Sequence, residues 1–364
     1  MLVDAYTEVS NANQLAGDYR ASVAAANRAL ATAEQLDLPP PAEALGWRGI
    51  ARAYLNEYEG VAEAERALDL LIEARSSAAI ARLMNNLAIV RAPSDGPAAT
   101  VDAYERAIAF NRERGRSPVM ISANRAETLI EAGRSQEALQ AVKLLEADAE
   151  TRGLRLPLMQ LRTVEATCLT LHGEPALTHA DWLLDFARET GTTDSIMNVH
   201  PALAGARLAA GQADQARALL LQIDATPDAR TNPNYASRLP GMVRTALAAG
   251  DPTLAQRLLD NFEPVNPLSE HALEHARAQL AEADGNNTDA AKLYADAADR
   301  WCEFGNVPER AYALLGQGRC LLALGNAEAE VPLTEARDLF QSMGYKPALA
   351  ETERLLAETV AETA

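Results

Sequence analysis

The sequence predicts an all-α protein, an array of about nine antiparallel helix pairs closed by a C-terminal helix. Three observations predict it: a helix-forming composition, chain breakers that recur with a fixed period, and apolar residues at helical spacing between the breakers. The chain has 364 residues, 48% hydrophobic but only 5% aromatic. It is rich in Ala, Leu, Glu and Arg, which lose little side-chain freedom in a helix, and poor in the Val/Ile/Thr alternation of strands. Windows such as Ala138–Ala147 place apolar residues at three- and four-residue steps, so each helix has one face to bury and needs a neighbour.

Taken from the N-terminus, Gly17, Asn56 and Asp95 mark the turns inside the first three pairs, and Pro39-Pro40-Pro41 marks the join between the first two. The following turns fall at Gly133, Gly173, Gly211, Gly250, Gly285 and Gly325, separated by 40, 38, 39, 35 and 40 residues. Glycine suits them because a helix ends most easily on a residue that tolerates left-handed φ. A second series, Pro118, Pro157, Pro233, Pro267, Pro308 and Pro347, interleaves with the first. Proline in a first helical turn sacrifices no hydrogen bond and stops the preceding helix. Two alternating breakers per period mean two helices per period. The expected organisation is a repeat array over 1–346 and a capping helix over 347–364, which covers the last pair and turns a polar face outward.

The 51 acidic and 33 basic residues leave a net charge of −18, which excludes phosphate neutralisation and anionic-lipid binding as the chain's general business. No 18 uncharged apolar residues run together, and Met1–Glu8 lacks a basic, then apolar, leader, so a soluble cytoplasmic chain is expected. Cys168, Cys302 and Cys320 are too scattered for a zinc site or a disulfide framework. The apolar flanks of Cys302 and Cys320 predict buried thiols that pack as small hydrophobes.

Catalytic patterns are few. His271-Ala-Leu-Glu274-His275 fits a zinc-hydrolase motif, with two histidines one helical turn apart and Glu274 as base. A third ligand such as Glu351 or Glu353 would have to come from a distant repeat, and elements that far apart in a solenoid are not expected to touch. His172, His179 and His200 have no Cys or Asp partner at ligand or nucleophile spacing and read as surface or turn histidines. No Gly-x-x-x-x-Gly-Lys-Ser/Thr loop exists, and Lys143, Lys292 and Lys346 are the only lysines. Neither enzyme activity nor a cofactor is expected.

Ala278, Gly285, Ala290, Tyr294 and Ala297 resemble the tetratricopeptide pattern, and Ala204, Leu208, Gly211 and Ala216 match it in part. That resemblance implies a right-handed α–α superhelix, with small residues where paired helices cross closely. The period near 38 exceeds the usual 34. Longer stretches, 48–57, 85–88, 304–325 and 335–340, are similar to the helical arm of actinobacterial proteins that join a class III nucleotide cyclase to a STAND-type signalling ATPase. The resemblance implies a non-catalytic scaffold or sensor arm, with cyclase or ATPase domains of a larger parent among its partners.

In such an array first helices line a concave groove. Six residues before each turn glycine stand Glu127, Thr167, Gly205, Arg244, Gln279 and Arg319; nine before the turn, Asn86 and Asn124 occupy equivalent places, with Trp47 one repeat earlier and Arg82 nearby. Asn at this position resembles the residue with which peptide-binding tetratricopeptide domains hold ligand backbone. The candidate groove is therefore Trp47, Arg82, Asn86, Asn124, Glu127, Arg244, Gln279 and Arg319, taking a protein or peptide; a small-molecule inducer is the alternative. Arg244 and Arg319 are expected to be exposed and dispensable for folding, within about 0.5 kcal/mol. Purified chain should show no ATP turnover and no stoichiometric zinc; one zinc per chain, lost on His271→Ala or His275→Ala, would make the hydrolase motif primary.

Overall fold

The structure, a computed structural model, describes residues 1–363. It is helical throughout, with no strand among the described residues. The helices are α1 (Leu2–Leu15), α2 (Tyr19–Gln35), α3 (Ala42–Tyr54), α4 (Glu59–Glu73), α5 (Ser77–Arg112), α6 (Val119–Glu131), α7 (Ser135–Thr151), α8 (Arg155–His172) and α9 (Ala180–Thr190). They continue as α10 (Thr193–Ala209), α11 (Ala213–Ala225), α12 (Tyr235–Ala248), α13 (Pro252–Leu259), α14 (Pro267–Ala283), α15 (Asn287–Phe304), α16 (Val307–Ala323), α17 (Glu330–Met343) and α18 (Lys346–Thr363). Helix α5 is two helices broken at Gly96 (φ 79°), which restores the pairing of the whole series. Nine pairs and a terminal helix result. Ala364, the last residue of the expected cap, lies outside the described residues.

The turns show why the period exists. Each of the six glycines from Gly133 to Gly325 has positive φ, between 66° and 78°. The turn expected at Asp95 is made by Gly96. A second left-handed series, Gly115, Gly153, Gly191, Gly305 and Gly344, ends the second helices, a signal that the proline series only shadows. The prolines occupy helix starts: Pro267 opens α14 behind the Asn266/Ser269 capping box, and Pro308 lies in the first turn of α16 behind Asn306.

The chain divides into two compact units, residues 1–95 with 99–121, and residues 96–98 with 122–364. In the first, α3 and α4 cross so closely that a Cβ on Gly49 would come within 2.4 Å of the Gly60 carbonyl oxygen. Small residues there are a steric requirement. Leu45, Ile50, Leu71, Ile80 and Leu83 form its main apolar cluster. In the second unit Tyr235, Tyr294, Trp301, Phe340 and Tyr345 are almost fully buried among Leu and Ala, and α18 packs on α17 and α8.

Within this second unit, elements distant in sequence meet. Ser135 Oγ donates to the Met343 carbonyl 208 residues away, and Lys346 pairs with Glu174. The expectation that distant repeats do not touch is overturned here: the start of α7 meets the end of α17, and the turn after α8 meets the start of α18. The close approaches have a cost to test. A Cβ on Gly133 would meet Val307 at 3.0 Å, whereas Gly211, with the same φ of 75°, has open space. Gly211→Ala should cost about 1–2 kcal/mol from left-handed backbone alone, and Gly133→Ala measurably more in urea unfolding. Equal losses would contradict the packing described.

Candidate functional site

The polar residues of the second unit's first helices form one seam. At its start, Asn124 of α6 accepts from Gln160 Nε2 of α8 at 2.8 Å, and Glu127 of α6 pairs with Arg238 of α12. Further along, Arg244 of α12 binds Glu309 of α16 through two hydrogen bonds, 2.7 and 2.8 Å. The same carboxylate lies 3.2 Å from Nδ1 of His275 on α14. Arg319 of α16 takes Glu282 of α14 with both arms of its fork, and reaches Glu351 of α18 at 3.1 Å. Tyr294 donates to Glu282 at 2.6 Å.

Local sequence fixes these positions. Asn306 caps α16 by accepting the Glu309 N–H at 3.1 Å, which puts the Glu309 carboxylate in the first turn, where the helix dipole favours negative charge. On α14, His275, Gln279 and Glu282 share one face at helical three- and four-residue spacing. Arg244 also stacks over Tyr312 at 4.0 Å.

The electrostatics follow. Burial alone would raise the Glu309 carboxyl, but the Arg244 charge and hydrogen bonds outweigh it and hold the group well below the carboxylate range. Burial would lower Arg319, and Glu282 reverses that shift. Glu131, at the end of α6, has no basic partner among the described residues; burial and the Glu309 carboxylate push it up to about 7. The arginines and glutamates of the seam keep partial contact with solvent, from 13% for Glu309 to 42% for Glu351. Asn124, His275 and Gln279 are buried, and neither amide atom of Gln279 has a partner.

Five of the eight sequence candidates, Asn124, Glu127, Arg244, Gln279 and Arg319, lie in this seam. Trp47, Arg82 and Asn86 belong to the first unit. There Trp47 is buried under the Arg82 guanidinium, 5.7 Å from its ring centre, Arg82 pairs with Glu43, and Asn86 accepts from Asn85 at 3.2 Å. Arg244 and Arg319 are not the free cations the sequence suggested. Both are neutralised within the chain, so removing them exposes a carboxylate to unpaired burial. The first unit holds a cavity of about 300 Å³ lined by Leu68, Met84, Leu87, Glu65, Arg91 and Arg106.

Other expectations change with the fold. His271, Glu274 and His275 do not converge: the Trp301 indole N–H donates to His275 Nδ1, His271 packs edge-on against Trp301 and Phe304, and Glu274 pairs with Arg277. His172 and His200 are core residues. Burial lowers both, His200 to about 4, and Ser135 lies 2.9 Å from His172 Nε2. His179 has partners that spacing hid: Glu165 at 3.4 Å and Glu146 at 3.6 Å, with Arg162 also on Glu146. Cys168 and Cys320 are buried but Cys302 is exposed, because it falls on the outer face of α15.

No protein-family model matches the chain, and no curated protein matches it. Among solved structures, the apo form of the quorum sensor NprR from B. thuringiensis aligns with a TM-score of 0.55 at 12% identity, covering 93% of this chain and 98% of that one. A Rap protein complexed with competence and sporulation factor aligns at a TM-score of 0.43 and 13% identity, over 99% of this chain and 98% of that one. The first likeness shows the fold, a tetratricopeptide-like helical repeat. No described helix is long and apolar enough to cross a membrane.

Two consequences are measurable. Arg244→Ala should lower unfolding stability by about 2–3 kcal/mol, the part-solvated share of a broken buried pair, against the near-zero loss of an idle surface arginine. Glu131, whose folded value is raised, holds a proton that the unfolded chain has released, so its contribution to stability falls as pH rises from about 4.5 to 7. Glu131→Gln should therefore raise the melting temperature at pH 8, by the equivalent of about 1–3 kcal/mol, and leave it unchanged at pH 4. A gain that does not depend on pH would refute the assignment.

Proposed function

We propose that this chain is a non-catalytic interaction module that binds an extended peptide, or an extended segment of a protein, along the seam of its second unit. The observation that carries the reading is a row of Asn, Gln, Arg and Glu side chains contributed by first helices, its arginines and glutamates partly solvated, on the surface where a stacked array offers one contact stripe per repeat. An extended chain presents main-chain donors and acceptors at regular spacing, and Asn124, Gln160 and Gln279 supply amides to meet them. The seam's ion pairs give such binding a readout: a ligand that exchanges partners with Glu127–Arg238 or Arg244–Glu309 alters links between helices of separate pairs. Trp47, Arg82 and Asn86 form a second candidate surface on the first unit. The fold likeness to a quorum sensor agrees with a sensing role at the level of architecture.

The sequence resemblance supports a finer version, in which the module is the arm of a larger signalling protein and contacts its cyclase or ATPase domains. Among the described residues, His271, Glu274 and His275, the sequence's zinc-hydrolase motif, do not converge on one site. The cavity in the first unit favours a second reading, small-molecule sensing, since about 300 Å³ is the lower end of ligand pockets.

Selection from a random heptapeptide library on the immobilised chain tests the first reading. Enriched sequences should rebind individually, and Asn124→Ala should weaken them about tenfold, an effect of about 1.4 kcal/mol, without changing the circular dichroism spectrum. Failure to enrich any sequence above blank resin would end the peptide reading, and a metabolite that raises the melting temperature would then support the second.

A further inference from the structure

His179 stands immediately before α9, and Gly173, with a left-handed φ of 71°, turns the chain after α8 so that this residue returns to the α7–α8 pair. Its place is fixed by its neighbours. Ala180 and Leu183 are buried in the core of the second unit, and the Trp182 ring lies under the Arg162 guanidinium of α8, 4.5 Å from its centre. Glu165 follows Arg162 by one helical turn on α8, and Glu146 comes from α7. Three separate elements thus bring an imidazole and two carboxylates together.

The distances show what this group can hold. His179 Nε2 lies 3.4 Å from Glu165 Oε2 and 3.6 Å from Glu146 Oε1, and the three atoms all fall within 4.8 Å of one another. A hydrogen bond from a ring nitrogen to a carboxylate is shorter, about 2.7–3.2 Å. Around a tetrahedral ion with each ligand at about 2.0–2.2 Å, neighbouring ligand atoms stand about 3.3–3.6 Å apart. Both histidine separations match that edge. The three side chains are half-buried, so they are held by packing and an ion can still reach them.

Charge points the same way. Arg162 donates from Nε to Glu146 at 2.9 Å and from a second nitrogen to Glu150. With His179 neutral, the carboxylates of Glu146, Glu150 and Glu165 and the one guanidinium of Arg162 together carry −2, the charge that a divalent cation cancels. The Arg162 hydrogen bond uses one lone pair of Glu146 Oε1 and leaves another for a metal, while it fixes the direction of the carboxylate. A nitrogen ligand argues against magnesium and calcium, which take oxygen, and for zinc and its first-row neighbours.

We propose that Glu146, Glu165 and His179 form a binding site for a divalent transition-metal ion of the zinc class, with a fourth position open to water or to a donor from a bound ligand. The site is independent of the peptide reading and of the His271–His275 segment. It reverses two expectations from the sequence, that His179 has no ligand partner and that the chain takes no stoichiometric zinc. By joining α7, α8 and the start of α9, a bound ion stabilises the folded chain by mass action.

The test titrates zinc chloride into the full chain, stripped with a chelator and dialysed, and follows heat release and thermal unfolding. One zinc per chain should bind saturably and raise the melting temperature, and magnesium at the same concentration should do neither. His179→Gln and Glu165→Gln, made in separate elements so that either can decide if the other fails to fold, should each weaken zinc at least tenfold. His271→Ala should leave zinc affinity unchanged. Cobalt in place of zinc should give the parent a visible absorption band characteristic of low coordination number. The proposal is overturned by absence of saturable zinc binding or of the cobalt band, by equal binding of magnesium, or by zinc binding that survives both substitutions; loss on His271→Ala alone overturns it as well and assigns the ion to the His271–His275 segment.

Discussion

The pair between Arg244 and Glu309 holds the inner face of the second unit together. It joins α12 to α16 across 65 residues of sequence, and with two parallel hydrogen bonds it fixes the direction of both side chains as well as their distance. Around it the other contacts fall into order. His275 is placed against Glu309, Tyr312 lies under Arg244, and the end of α6 packs on the first turn of α16. Two charges taken partly from water are tolerable only while each has the other. An arginine on the inside of a helical array is then as much a structural element as an apolar core residue.

That constraint shapes what the seam can bind. A groove lined by unpaired charges would attract any counterion, whereas one whose charges are matched among themselves admits only a ligand that improves on the existing match. Among the described residues of this seam, both amide atoms of Gln279, Gln160 Oε1 and His275 Nε2 remain unmatched. Specificity then comes from what the chain leaves unsatisfied, and the ion pairs on either side supply rigidity. The surface carboxylates elsewhere act differently. Pairs such as Arg300 with Asp296 and Arg354 with Glu358 lie one helical turn apart on exposed faces and contribute little beyond solubility.

The fold was legible because its signals are local. A left-handed glycine at a helix end, a proline in the next first turn, and alanines at close crossings are each a property of a few adjacent residues, and their recurrence gives the repeat without long-range information. Gly96 in place of Asp95 and the second glycine series at Gly153, Gly191, Gly305 and Gly344 show how far that reading runs: the period was visible, its phase less so. The site was legible in part. Repeat spacing selects one residue per first helix, but the rotation from pair to pair, which decides whether Glu127 meets Arg238 or Ser135 meets Met343, depends on packing angles that no spacing encodes. The histidines make the same point, since His172 and His200 look like turn and surface residues in sequence and are buried only because distant helices close over them.

The most direct measurement is a double-mutant cycle on Arg244 and Glu309, with each residue replaced by Met singly and together, and unfolding free energies taken in urea at pH 7. If this pair holds the inner face, each single change should destabilise strongly and the double change far less than their sum, with a coupling of at least about 2 kcal/mol. Additive losses, with coupling near zero, would show that the two helices are held by apolar packing alone and that the charged seam is a surface feature.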